Sequence, residues 1–142
     1  MTKNKTPDAN GVKIVFKGRL MLSGENNRTL YLAQHGYLED SPLVERIKGY
    51  LWQAGQFASV RYATASTPID EEKFIDLEIR TSLGETDAKY SEHYSDLTGY
   101  LWTDEELKVG GHDLLNELKT YADQYLYLEI TFYKQLPPGL KG

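Results

Sequence analysis

Apolar and polar residues alternate with a period of two across positions 12–22. Val12, Ile14, Phe16, Gly18, Leu20 and Leu22 share one face of an extended chain, while Lys13, Val15, Lys17, Arg19 and Met21 share the other. That period marks a half-buried strand. Turn-forming residues at 23–27 precede a second extended run at 29–34, so the pattern predicts an antiparallel hairpin burying Ile14, Phe16 and Leu20.

The period then changes. Ser41-Pro42 opens a helix, with proline suited to its first turn, and Leu43, Val44, Ile47, Tyr50 and Leu51 follow at helical spacing up to Gly55. Residues 56–65 read as a strand. Thr67-Pro68 and Asp70 start a second helix, supported by the spacing of Ile75, Ile79 and Leu83, although Ile75, Leu77 and Ile79 also alternate as in a strand. Residues 92–103 read as a long strand with Tyr94, Tyr100 and Trp102 on one face, and 103–109 as an acidic turn or a single helical turn. Gly110-Gly111 opens a third helix through Leu114, Leu115, Leu118, Tyr121 and Ala122, and 125–133 alternates again.

Strand and helix therefore do not alternate throughout, which excludes a regular doubly wound sheet. The expected fold class is α+β: a mixed or antiparallel sheet of about five strands with two to three helices packed on it. A small, partly closed β-barrel is the alternative. Residues 11–136 form the expected single domain, between flexible tails at 1–10 and 137–142.

Composition narrows function mainly by exclusion. The 142 residues include no cysteine, which removes disulfides, thiolate metal sites and cysteine nucleophiles. No apolar run is long enough to span a bilayer and residues 1–11 lack a secretory signal pattern, so a cytoplasmic protein without membrane contact is expected. The net charge of −5 is unevenly spread. Residues 1–68 hold nine Lys and Arg against five Asp and Glu; residues 69–142 hold seven against sixteen. Eleven tyrosines against four phenylalanines fit half-buried strands and contact surfaces alike.

Chemistry-bearing patterns are sparse. His93 sits in Tyr90-Ser91-Glu92-His93-Tyr94-Ser95-Asp96, but in a strand Glu92 and Asp96 point away from its face, and only Ser95 shares it. An exposed strand histidine is therefore expected. Asp113 after Gly110-Gly111 suits a helix cap better than an anion site. There is no phosphate-cradling loop, dinucleotide fingerprint or nucleophile elbow. No catalytic residue, metal ligand or cofactor is assigned.

Two binding surfaces remain. Tyr94, Tyr100 and Trp102, beside the acids at 104–106, make an aromatic face suited to a protein partner or to self-association. Lys13, Lys17 and Arg19, with Arg28 near the turn, make a basic strip of the kind that holds single-stranded nucleic acid. The sequence pI near 5.2 argues against that use. The expectation is a non-enzymatic intracellular domain that binds another macromolecule or assembles with itself. A small hydrolase-type enzyme built on His93 and nearby carboxylates is the enzymatic alternative.

Finally, Gly-Tyr-Leu-Trp occurs twice, at 49–52 and 99–102, and carries both tryptophans. Helical spacing makes Trp52 structural, whereas extended spacing gives Tyr100 and Trp102 one shared face, the better candidate for contact. The flanks differ too much for an internal repeat.

Overall fold

A computed structural model describes residues 11–34, 37–38, 41–51, 56–104 and 106–133. Trp52, His35 and the two expected tails lie outside the described residues. In chain order the elements are β1 (Gly11–Ser23), β2 (Thr29–Gln34), β3 (Tyr37–Leu38), α1 (Leu43–Lys48), β4 (Gln56–Ala65), α2 (Glu71–Ser82), β5 (His93–Thr103), β6 (Leu107–Val109), β7 (His112–Asp113), α3 (Leu114–Lys119) and β8 (Tyr125–Tyr133).

All eight strands belong to one sheet in the order β3-β2-β1-β8-β4-β5-β6-β7, and every pairing is antiparallel. The sheet curls into a half-barrel, with 49% of the described residues in strands and 26% in helices. This corrects the expected α+β class with about five strands. The acidic segment after Thr103 contains β6 rather than a helical turn. Gly110 and Gly111, both at positive φ, form the turn between β6 and β7 rather than opening a helix. The third helix starts only at Leu114 and stops at Lys119. Strands of two or three residues are too short to display a period, which is why they escape a pattern reading.

Two meanders, β1–β2–β3 and β4–β5–β6–β7, are joined by the last strand. β8 pairs with β1 on one side and β4 on the other, so most of its residues are buried. Strand alternation then divides the side chains between two faces. The inner face carries Phe16, Leu20, Val60, Tyr62, Leu101, Leu128, Ile130 and Phe132, closed over by α1 through Leu43 and Ile47 and by α3 through Leu114 and Leu118. Among the described residues the outer face is covered at one end, where Phe74 and Leu77 of α2 pack on Ala63, Ala65 and Tyr127. The expected hairpin forms, with Leu20 opposite Leu32. Phe16 and Leu20 are buried, and Ile14 is partly so.

The helix signal at 69–83 produces α2, capped by Asp70 Oδ1 accepting from Lys73 N at 2.8 Å. Its buried residues, however, are Phe74 and Leu77. Ile75, Ile79 and Leu83, which suggested the helix, face solvent.

Candidate functional site

The register places both sequence-derived surfaces on the outer face. Each layer of that face crosses β1, β8, β4 and β5 in turn. One runs Gly11–Tyr133–Phe57–Tyr100, the next Lys13–Thr131–Ser59–Thr98, and the next Val15–Glu129–Arg61–Asp96. Further along, Lys17–Tyr127–Ala63–Tyr94 lies at the end that α2 covers. The aromatic face and the basic strip are thus opposite sides of one surface.

Its open end is aromatic. Phe57 meets Tyr100 edge-on at 5.6 Å and Tyr133 at 6.0 Å. Tyr100 is 51% exposed, and Trp102, opposite Lys108 of β6, is 46% exposed. Tyr94 has another role. Its ring packs 5.7 Å from Phe74, and its hydroxyl donates to Glu78 at 2.9 Å. Burial, reinforced by Glu78, pushes that hydroxyl's pKa well above the ordinary tyrosine value.

The middle of the face is a charge ladder. Arg61 donates from Nε and Nη2 to Glu129 Oε1 at 2.8 and 2.5 Å, and from Nη1 to both oxygens of Glu78 at 3.1 and 2.9 Å. Lys13 approaches Glu129 Oε2 at 3.8 Å. Burial alone would weaken the charge on Arg61, but the two carboxylates outweigh it and hold the guanidinium charged. Arg19 is engaged as well, 3.8 Å from the Asp123 carboxylate. Lys13 and Arg19 of the basic strip therefore meet carboxylates. Lys17 and Arg28 have no carboxylate partner among the described residues, and Arg28, beyond the β1–β2 turn, is not part of this layer pattern.

On the inner face, His93 is half-buried rather than exposed. Its ring stacks on Tyr121 at 5.0 Å, and its Nε2 lies 3.2 Å from the Tyr62 hydroxyl. Tyr62 donates a short hydrogen bond to Glu117 Oε2, and Glu117 Oε1 is 2.6 Å from His112 Nε2. Because the single Tyr62 proton goes to Glu117, the His93 contact requires a proton on His93 Nε2. Burial lowers the His93 pKa, and Glu117 only partly opposes this, so the ring is biased toward its neutral form. Tyr62 is driven the other way by burial and by Glu117, well above an ordinary phenol.

The carboxylate beside His93 thus comes from α3, whose first turn Asp113 caps by accepting from Asn116 N at 3.1 Å. Sequence-adjacent Glu92 is bound by Arg80 at 2.5 and 3.0 Å, which lowers its pKa. Asp96 lies on the outer face. A cavity of about 550 Å³ opens elsewhere, lined by Lys17, Ala33, Gln34, Ile69, Asp70 and Tyr125 among others, and includes no member of the Tyr62 cluster. Among the described residues no group of three or more His, Asp or Glu side chains is placed to hold a metal ion. No described helix is long and apolar enough to cross a membrane.

Arg61, Glu78, Glu129, Tyr62 and Glu117 all escaped the sequence reading. Each is partnered across strands or helices distant in the chain, and no local spacing announces such a pair. No family model matches the chain, and neither a curated protein nor a solved structure is found to be similar to it.

Proposed function

We propose that this protein is a non-enzymatic binding module that engages a partner protein through the open end of the outer sheet face. The carrying observation is the exposed pair Tyr100 and Trp102 beside Phe57, standing at the end of the sheet that α2 leaves bare. Rigid aromatics on a sheet lose little entropy on contact and dominate interface energetics. The Tyr62–Glu117–His93 cluster reads as a network that ties α3 to the sheet. Nucleic acid is disfavoured because Lys13 and Arg19 meet carboxylates, which leaves only Lys17 and the distant Arg28 without one, and phosphate binding depends on several free cations on one surface.

The test compares wild type with Tyr100→Ser/Trp102→Ser in affinity capture followed by purified-component binding. The expected result is a stoichiometric protein partner lost with the double variant and retained by Tyr90→Ser, with every variant still melting cooperatively and within about 10 °C of wild type. A partner that binds the double variant equally well would sink the proposal. So would a turnover activity that His93→Ala abolishes with the fold intact.

A further inference from the structure

Helix α2 is apolar on two sides. Phe74 and Leu77 are buried on the sheet. Ile75, Ile79 and Leu83, spaced one turn apart, form a second line exposed by 48, 54 and 62%. One stripe suffices for a helix that covers a sheet, so a second line of large aliphatics marks a surface for another chain.

The charges around α2 indicate what kind of chain. Glu71, Glu72 and Asp76 border the exposed line at helical neighbour spacing, and no cation lies within ion-pair distance of Glu71 or Glu72 among the described residues. Of the helix's own cations, Arg80 offsets Asp76, and neither Arg80 nor Lys73 reaches Glu71 or Glu72. Lys73 Nζ donates to Thr67 Oγ1 at 2.5 Å, and Arg80 is held by Glu92 at 2.5 Å and Asp76 at 2.7 Å. Beside the helix, a recess of about 430 Å³ is lined by Glu78, Thr81, Ser82, Tyr94, Ser95 and Asp96; Glu78 is already held by Arg61 and Tyr94, whereas Asp96 has no ion-pair partner among the described residues. A second copy of this chain would bring the same acids, with Glu85 and Asp87 beyond Leu83, against one another, which disfavours self-pairing.

We infer that the Ile75–Ile79–Leu83 line docks an amphipathic helix of a partner protein, one that carries Lys or Arg beside its own apolar stripe. The apolar stripe lies along the exposed line, with its cations toward Glu71 and Glu72 and one of them entering the recess at Asp96. This surface is separate from the aromatic end of the sheet, and either can fail without the other.

The experiment uses the full chain and two fluorescein-labelled synthetic amphipathic helices, one of Leu and Lys and one of Leu and Glu. By fluorescence polarisation the Lys peptide is expected to bind wild type and the Glu peptide not. Ile75→Ser and Ile79→Ser should each weaken binding by about tenfold. Glu71→Gln/Glu72→Gln should weaken it less and flatten its salt dependence. Tyr100→Ser should leave it unchanged. All of these positions are exposed, and cooperative melting well above the assay temperature will show intact folds. Comparable binding of the Glu peptide, an Ile79→Ser variant with wild-type affinity, or loss of binding in Tyr100→Ser would overturn the inference. A wild-type dimer in sedimentation that Ile79→Ser dissolves would overturn it too, giving the surface to a second copy.

Discussion

The chain contains the same four residues twice, and the three described in both copies, Gly, Tyr and Leu, pack differently in each. At 49–52 the glycine follows α1 with ordinary helical dihedrals, φ −62° and ψ −17°. Tyr50 then turns back over the inner core, edge-on to Phe16 at 5.9 Å and stacked on Phe132 at 6.2 Å. At 99–102 the residues lie inside β5. Gly99 is pressed against Gly110, where an added Cβ would sit 2.6 Å from the Gly110 Cα. Leu101 points into the core, and Tyr100 and Trp102 point out to solvent. Local sequence is identical, so the difference comes from what each copy packs against. Tyr50, at 45% exposure, shows a ring edge to solvent while it packs on the inner core; Tyr100 and Trp102, at 51 and 46%, stand on the outer face, which no helix covers at that end among the described residues.

Leucine offers the largest test of that contrast. Leu101 is fully buried between sheet and helices, so Leu101→Ala should cost about 2–5 kcal/mol in chemical denaturation. Leu51 is only partly buried at the rim of the same core, and Leu51→Ala should cost roughly half as much. Equal losses would mean that both copies are core and that the difference between them is superficial. Glycine comes next, and here the sign should change. Gly99→Ala must displace the Gly110 backbone and should cost about 1–3 kcal/mol. Gly49→Ala fits its helical dihedrals, meets nothing closer than 3.5 Å, and should stabilise by about 0.4–1 kcal/mol. A Gly99→Ala variant as stable as wild type would show that β5 and the Gly110 turn are not in close contact.

Legibility in the sequence followed the length of the element. β1, β4, β5 and β8 run nine residues or more, and each showed as an extended run in the sequence. β3, β6 and β7 were invisible because two or three residues cannot establish alternation, and their loss turned a curled eight-stranded sheet into an expected five-stranded one. For α2 the start signal was sound and the face was wrong. Phe74 and Leu77 are the residues buried on the sheet, while the more regular Ile75–Ile79–Leu83 line stands in water. The outer surface was legible one strand at a time, as Tyr100 and Trp102 on β5 and as Lys13 and Lys17 on β1. Their union was not, because β8, the strand that joins the two meanders, comes last in the chain. The Arg61–Glu129–Glu78 ladder and the Tyr62–Glu117 pair depend on that closure too.

Tyrosine gives a smaller contrast. Tyr50 touches two rings of the inner core and Tyr100 touches one ring at the surface. Tyr50→Ala should therefore cost about 1–2 kcal/mol and Tyr100→Ala about 0.5–1 kcal/mol. A reversal of that order would place the structural burden on the second copy.

The smallest effect concerns tryptophan, where stability should barely change and accessibility carries the information. Trp102→Phe should shift stability by no more than about 0.5 kcal/mol, as for most surface positions. In a Trp52→Phe background the remaining Trp102 should be quenched readily by neutral acrylamide, consistent with 46% exposure. Iodide should quench it less well at low salt, because Asp104 and Glu106 stand close by in the chain and repel an anion, while Lys108, 3.4 Å from Glu106, is already engaged. The gap between the two quenchers should narrow as salt screens those charges. Weak acrylamide quenching that strengthens on dilution would show that copies of the chain cover this face in solution. Weak quenching at every concentration would place Trp102 in the core and remove the contact surface from the second copy.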